Sequence, residues 1–325
     1  MSWTDLGRML VEGHRLTYEP LYPSFADILL GVDLADQADA VIFGVPFDGG
    51  TFRHIGANAG PAGIRQAFSV FRTFNGDLEI DIADYLKVAD IGNVDLHWSS
   101  YEEAFRGIDA IIRKAVAGGQ VPIMLGGDHS ISYQGIKSFR EAVGGPIGVI
   151  WIDNHLDTME TFHGDRYYCG CPLFYLLEER LVDPARLCLM GPRGFTQARQ
   201  MWEAARRFGF RIIKMDEIML GGIAAAVEEA LAIATAGTNR VYLTVDIDSA
   251  DAVYAPGTEV AGPGGLTARE LMYAVRRIAD SGAEALDITE VAPPIDVASL
   301  TSKLAAEVLL CFLAGMASRR RRARG

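Results

Sequence analysis

The chain has 325 residues, 50% of them hydrophobic and 22% charged, with a formal net charge of −12. That mixture builds a globular core and excludes a disordered chain. The acidic balance excludes a general nucleic-acid binder, which needs a basic surface, but it suits small cationic ligands.

Residues 1–35 read as an N-terminal extension. Asp5, Glu12 and Glu19 interrupt its start, so an apolar leader is not expected. Residues 40–45 read as a strand, 62–71 as a helix after Gly60 and Pro61, and 86–91 as a strand. Residues 101–117 carry apolar side chains at helical spacing, and 121–125 form a strand ending in Gly126 and Gly127. Further strands are expected at 147–152, 186–190, 211–213, 240–245 and 284–288, with helices at 223–234, 268–279 and 300–314. Strands that are apolar throughout are buried on both faces, and strands alternating with helices pair in parallel. The expected fold is therefore α/β, a three-layer α/β/α domain with a parallel sheet of about eight strands, in one domain over residues 1–325. Residues 318–325, with Arg319, Arg320, Arg321, Arg322 and Arg324, read as a solvated basic tail. The apolar run 305–317 contains Glu307 and is too short to cross a bilayer, so no membrane partner is expected. Four cysteines (Cys169, Cys171, Cys188 and Cys311) are too few for a disulfide scaffold, and a cytoplasmic setting is expected.

Ligands of such folds gather beyond the carboxyl ends of the strands. Three segments place acids and histidines there: Gly126-Gly127-Asp128-His129-Ser130, Asp153-Asn154-His155-Leu156-Asp157, and Asp246-Ile247-Asp248. In extended backbone, side chains two residues apart share a side, so Asp153, His155 and Asp157 can converge, as can Asp246 and Asp248. Each segment alone reads as well as a helix cap or a loop. Together with His129 they make four carboxylates and two imidazoles with no lysine or arginine beside them. Such a set repels itself without cations, and two divalent ions would neutralise it. The absence of thiolates disfavours structural zinc. The mixed oxygen and nitrogen set suits Mn²⁺, with Ni²⁺ and Co²⁺ as alternatives. A pair of such ions generates hydroxide from water at neutral pH.

These segments resemble the ureohydrolases, the family of arginase and agmatinase. The resemblance continues through Asp251, Ala255-Pro256-Gly257-Thr258, Pro263-Gly264-Gly265-Leu266 and Glu290-Val291-Ala292-Pro293. Upstream, Gly44-Val45-Pro46-Phe47-Asp48 and Gly60-Pro61-Ala62-Gly63-Ile64-Arg65 look like the agmatinase-type signature. It implies a binuclear centre. One ion would be held by His129, Asp153, Asp157 and Asp246, the other by Asp153, His155, Asp246 and Asp248, so that Asp153 and Asp246 bridge and serve catalysis. It also implies that Glu290 holds a substrate guanidinium by charge-assisted hydrogen bonds. The reaction implied is hydrolysis of a guanidino C–N bond to urea and an amine, agmatinase-like, in a homo-trimer or homo-hexamer.

The chain departs from the family at several positions. Cys169 stands where the family usually has a proton-shuttling histidine, and the nearby histidine is His163. Either His163 or Cys169 takes that part, or the leaving group needs little acid help. Glu259 replaces a glycine and Asn154 a small residue, and both read as specificity residues for a small cationic guanidino compound: agmatine, guanidinobutyrate, guanidine, a substituted guanidine or a biguanide. Rival classes are a metal-dependent deacetylase, a nucleotide binder and a supporting subunit of a hetero-oligomer. The chain lacks G-x-G-x-x-G with a downstream acid and also lacks the P-loop pattern, which disfavours nucleotide binding.

Overall fold

Runs of β-branched and aliphatic residues with little polar alternation cannot face water on either side, so they stack as inner strands. The computed structural model describes residues 10–11, 22–51, 53, 55–97 and 100–324. Eight parallel strands form: β1 (Ala40–Gly44), β2 (Val88–Val94), β3 (Val121–Leu125), β4 (Gly148–Ile152), β5 (Leu187–Met190), β6 (Arg211–Ile213), β7 (Val241–Asp246) and β8 (Ala285–Thr289). Their order across the sheet is β2-β1-β3-β8-β7-β4-β5-β6. A two-residue strand, Leu10–Val11, adds to the β2 edge in antiparallel sense. The expected fold class is what forms; among the strands the largest slip is at β2, read as 86–91, and among the helices at α9, read as ending at 314.

Alternate strand residues feed two cores. Ile42, Ile123, Ile150 and Leu243 face one side, where α1 (Gly60–Phe68) packs. Phe43, Met124, Trp151 and Tyr242 face the other, covered by α2 (Tyr101–Ala117), α3 (Ile131–Val143), α4 (Pro172–Glu178) and α5 (Arg199–Phe208). The first side is completed by α6 (Met215–Gly221), α7 (Ile223–Ala234), α8 (Ala268–Ser281) and α9 (Leu300–Arg324). The largest buried side chain is Trp151, at the floor of the site described below.

The C-terminal arginines correct one expectation. They are not a loose tail but the last turns of α9, which runs unbroken to Arg324, while all of them except the half-buried Arg320 stay exposed as expected. Arg320 pairs with Asp39 at 2.7 Å and donates to the Tyr85 carbonyl, and Arg322 pairs with Asp280 at 2.7 Å. Cations at a helix C-terminus are favoured by its dipole, and here Asp39 and Asp280 add opposite charge beside them. By length and composition α9 could cross a membrane, yet 67% of its apolar window is buried. Of the N-terminal extension, residues 1–9 and 12–21 lie outside the described residues. From Ser24 onward the chain is packed, and Phe25 meets Phe68 edge-on at 5.0 Å.

What the sheet order does for function is simple. β3, β8, β7 and β4 are consecutive neighbours, although they come from distant parts of the chain. The loops leaving their carboxyl ends meet at one place.

Candidate metal centre

The turn after β3 is made by two glycines pressed against the loop after β1. Gly127 donates its N–H to the Val45 carbonyl at 2.9 Å, and Asp128 donates to the Phe47 carbonyl at 2.9 Å. Asp128 accepts from the Gly50 amide at 2.7 Å and from the Ser130 amide at 2.9 Å, tying both loops together. The turn seats His129 at 1% exposure. His129 Nδ1 lies 3.1 Å from Asp153 Oδ2, 3.2 Å from Asp157 Oδ2 and 3.1 Å from Asp246 Oδ2.

The loop after β4 supplies three of the other groups. Asp153 is fully buried. Its Oδ2 accepts from Trp151 Nε1 at 2.8 Å and its Oδ1 from the His155 amide at 2.6 Å. The Trp151 indole also stacks on the His129 ring, with centroids 4.5 Å apart. Asp157 takes a left-handed backbone conformation, φ 46°, which a non-glycine residue adopts only under tertiary constraint. After β7, a short turn lets Asp246 Oδ1 accept from the Asp248 amide at 2.8 Å. His155 Nδ1 lies 3.0 Å from Asp248 Oδ2 and 3.5 Å from Asp153 Oδ1.

Two ligand groups result. His129, Asp153 and Asp157 form one, joined by Asp246 through its Oδ2. Asp153, His155 and Asp248 form the other. Asp153 turns one oxygen to each histidine. All six residues expected as ligands therefore converge. Their fit to divalent ions is tested by His129 Nδ1, which is buried with no hydrogen-bond partner while three carboxylate oxygens surround it at nearly equal distance. One ring nitrogen cannot bond three carboxylates, but one cation can bind all four groups.

The charges say the same. Among the described residues no lysine or arginine pairs with Asp153, Asp157, Asp246 or Asp248. With protein groups alone, burial and then neighbouring carboxylates push Asp246 and Glu290 well above the usual range, and raise Asp157 to about 7. Burial opposes charge on His129 and His155, but the facing carboxylates outweigh it and hold both well above the usual imidazole value. Burial likewise opposes charge on Asp153, and the two histidines outweigh it and hold that carboxyl low. The cluster needs positive charge, and two divalent ions would provide it.

A cavity of about 250 Å³ opens over this cluster. Glu290, from the loop after β8, lines it. Its Oε1 accepts from the His129 amide at 2.7 Å, and its backbone is left-handed at φ 64°. Glu259, Thr258, Tyr168 and Cys169 line it too, with Arg53 from the loop after β1. Burial, then the nearby carboxylates led by Glu290, raises the Cys169 thiol well above its ordinary pKa, so it stays protonated.

Two expected residues are not brought into the cavity. Asn154 is fully buried behind its wall: its position between Asp153 and His155 sends the side chain the other way, toward Thr196 Oγ1 at 3.5 Å. His163 is exposed on a tight turn closed by the Phe162 and Asp165 backbones, and its ring rests edge-on against Phe162. It does not line the cavity.

Sequence reading passed over Trp151, Thr244, Asp287 and Arg193. Arg193 donates to the carbonyls of Asp248 (3.0 Å), Ala250 (3.2 Å) and Gly262 (3.0 Å), clamping the β7 turn to the segment that follows Glu259. Polar Thr244 and Asp287 inside otherwise apolar strands were the available signal.

The sequence profile of the Arginase family matches residues 38–315. The chain is 34% identical over 285 residues to the mitochondrial agmatinase of Gallus gallus, covering 87% of this chain and 83% of that relative. The solved formimidoylglutamase of Bacillus subtilis subsp. subtilis str. 168 superposes with a TM-score of 0.87 at 30% identity, over 97% of this chain and 98% of that one. Trypanosoma cruzi formiminoglutamase, solved with two Mn²⁺, gives a TM-score of 0.84 at 25% identity, over 92% and 99%.

Proposed function

The chain belongs to the Arginase family, whose members are metal-dependent amidinohydrolases, and on that premise we propose that it hydrolyses a small cationic guanidino compound of the agmatine class to urea and an amine. The observation that carries this reading is the pairing of two ligand groups, sharing Asp153, with a cavity whose wall adds Glu290 and Glu259. His129, Asp153, Asp157 and Asp246 would hold one divalent ion, and Asp153, His155, Asp246 and Asp248 the other. Manganese is the first choice, supported by the solved Trypanosoma cruzi relative. Bound there, the ions would supply a strongly nucleophilic water at neutral pH.

The chain's own groups do the rest. Glu290 accepts from the guanidinium N–H groups and places the central carbon above the cluster. Its Oε1 is already oriented by the His129 amide. Glu259 adds a second anion, which favours a cation over a neutral amidine. Met159, Met201 and Val260 line the same cavity and exclude water from part of it. Cys169 is a half-buried thiol and a poor proton donor, and His163 is exposed and does not line the cavity. The attacking water adds its oxygen to the guanidino carbon and releases a proton, and the departing nitrogen, a strong base, takes up that proton as the C–N bond breaks, so no dedicated histidine is required.

One observation favours a second reading. Arg53 lines the same cavity, and a cation there could hold the carboxylate of a guanidino or formimidoyl acid. A release assay on the purified chain with Mn²⁺ or Ni²⁺, across agmatine, guanidinobutyrate, guanidinopropionate, guanidine, biguanide, arginine and formimidoylglutamate, separates the two. Turnover of agmatine far above the acids supports the first. Preference for an acid that Arg53→Ala abolishes supports the second. No turnover of any of them by protein carrying two ions refutes both. A trimer or hexamer is the assembly expected, and activity of the lone chain excludes a merely supporting role.

A further inference from the structure

A histidine offers a ligand lone pair on one ring nitrogen only if the proton is kept on the other. For His129 the cluster takes Nδ1, so the question is what holds Nε2. Thr244 Oγ1 lies 2.9 Å from it. Thr244 is on β7 and stands in register with Asp287 on β8. Its hydroxyl donates to Asp287 Oδ1, and the Tyr242 hydroxyl donates to Asp287 Oδ2 at 2.8 Å. Thr244, Asp287 and Tyr242 are all at or below 1% exposure.

A hydroxyl has one proton. Thr244 gives its proton to the carboxylate, because a charge-assisted bond is the stronger one. Its oxygen can then only accept from the ring. Nε2 of His129 is thereby kept protonated, so the nitrogen that can give up its proton to a cation is Nδ1, which faces Asp153, Asp157 and Asp246. We propose that Asp287, acting through Thr244, is a positioning residue that fixes the protonation and tilt of His129 for the ion held by that group. His155 is reached by neither side chain, so the effect is confined to one of the two ion positions. The inference rests on the metal-centre reading for its consequence, but the hydrogen-bond relay exists without it.

The experiment uses the full chain and Thr244→Val, Thr244→Ser and Asp287→Asn. Mn²⁺ binding is followed by the signal of free Mn²⁺. Thr244→Val keeps the shape and removes the acceptor. One of the two sites should weaken by about 10- to 100-fold, the range for lost outer partners of a ligand histidine. The other site should be unchanged, and Thr244→Ser should restore binding to near the parent value. In parallel, the His129 Nε2–H proton is sought by NMR in chelator-treated protein. It should appear as a downfield, exchange-protected resonance in the parent and in Thr244→Ser, and move upfield with faster exchange in Thr244→Val, which offers it no acceptor. A folded Thr244→Val with unchanged affinity at both sites, or with the proton still at its parental downfield position, overturns the proposal. Equal weakening of both sites, or failure of Thr244→Ser to recover, shows a general packing effect and overturns it as well. Should the parent chain bind no Mn²⁺, the metal-centre reading fails, while the proton resonance still decides the relay.

Discussion

Gly127→Ala isolates the turn that seats His129. A Cβ on Gly127 would stand 1.6 Å from the Phe47 carbonyl oxygen, where real side-chain carbons keep beyond 3.0 Å. The turn and the loop after β1 must therefore part by about 1.4 Å. The obstacle is backbone, and hydrogen bonds from Gly127 and Asp128 hold it in place, so no side-chain rotation relieves the clash. His129 follows two residues later and moves with the turn. Displacement of reacting groups by about 1 Å costs about 100-fold in rate, and overpacking typically costs about 1–3 kcal/mol. Turnover of the preferred substrate should fall at least about 100-fold, bound Mn²⁺ should drop below two per chain, and the melting temperature should fall by several degrees. Gly145→Ala is the control, since nothing lies within 4 Å of its Cβ position. A Gly127→Ala protein with full metal content and parental turnover would show that the turn does not set the histidine.

Three further outcomes are expected. Asp153→Ala, which removes the carboxylate facing both histidines, should abolish loading of both ions as well as turnover; an active protein without metal refutes the assignment. His163→Ala should leave kcat unchanged, because the side chain is exposed and outside the cavity, and a large fall in kcat would return it to the mechanism. With chelator present, the melting temperature should fall as pH rises. His129 and His155, raised in the folded chain, contribute stability that is complete below about 6.5, their unfolded value, and is lost as pH climbs through the folded values. Asp246 and Glu290, also raised, act in the same sense, since the unfolded chain ionises first. Added Mn²⁺ should reverse the trend, with affinity increasing as pH rises because bound protons must leave. A chelated protein whose stability is flat or increases with pH contradicts this account.

Most strands were legible because they are short, largely apolar runs, and burial on both faces needs no partner to be recognised. The end of α9 was not, since the arginine run reads as a loose tail until Asp39 and Asp280 are placed beside Arg320 and Arg322. The six ligands were legible because they crowd into three brief segments at strand ends. Asn154 shares that crowding yet points the other way, and alternation along the strand could have excluded it. His163 looked near in sequence, but its turn projects outward. Thr244 and Asp287 each stand out as polar in an apolar strand, but being 43 residues apart they show no partnership until β7 and β8 lie side by side.

Which atoms could bind an ion, and that several would be needed, follows from residue types spaced over a handful of positions, where backbone periodicity acts. That one carboxylate serves two histidines, that Glu290 lines the cavity above them, and that a threonine and an aspartate hold His129 from behind depend on β3, β8, β7 and β4 lying side by side. Neighbourhood in a parallel sheet is settled by how the helices pack on both faces, a property of the whole chain that no local stretch contains.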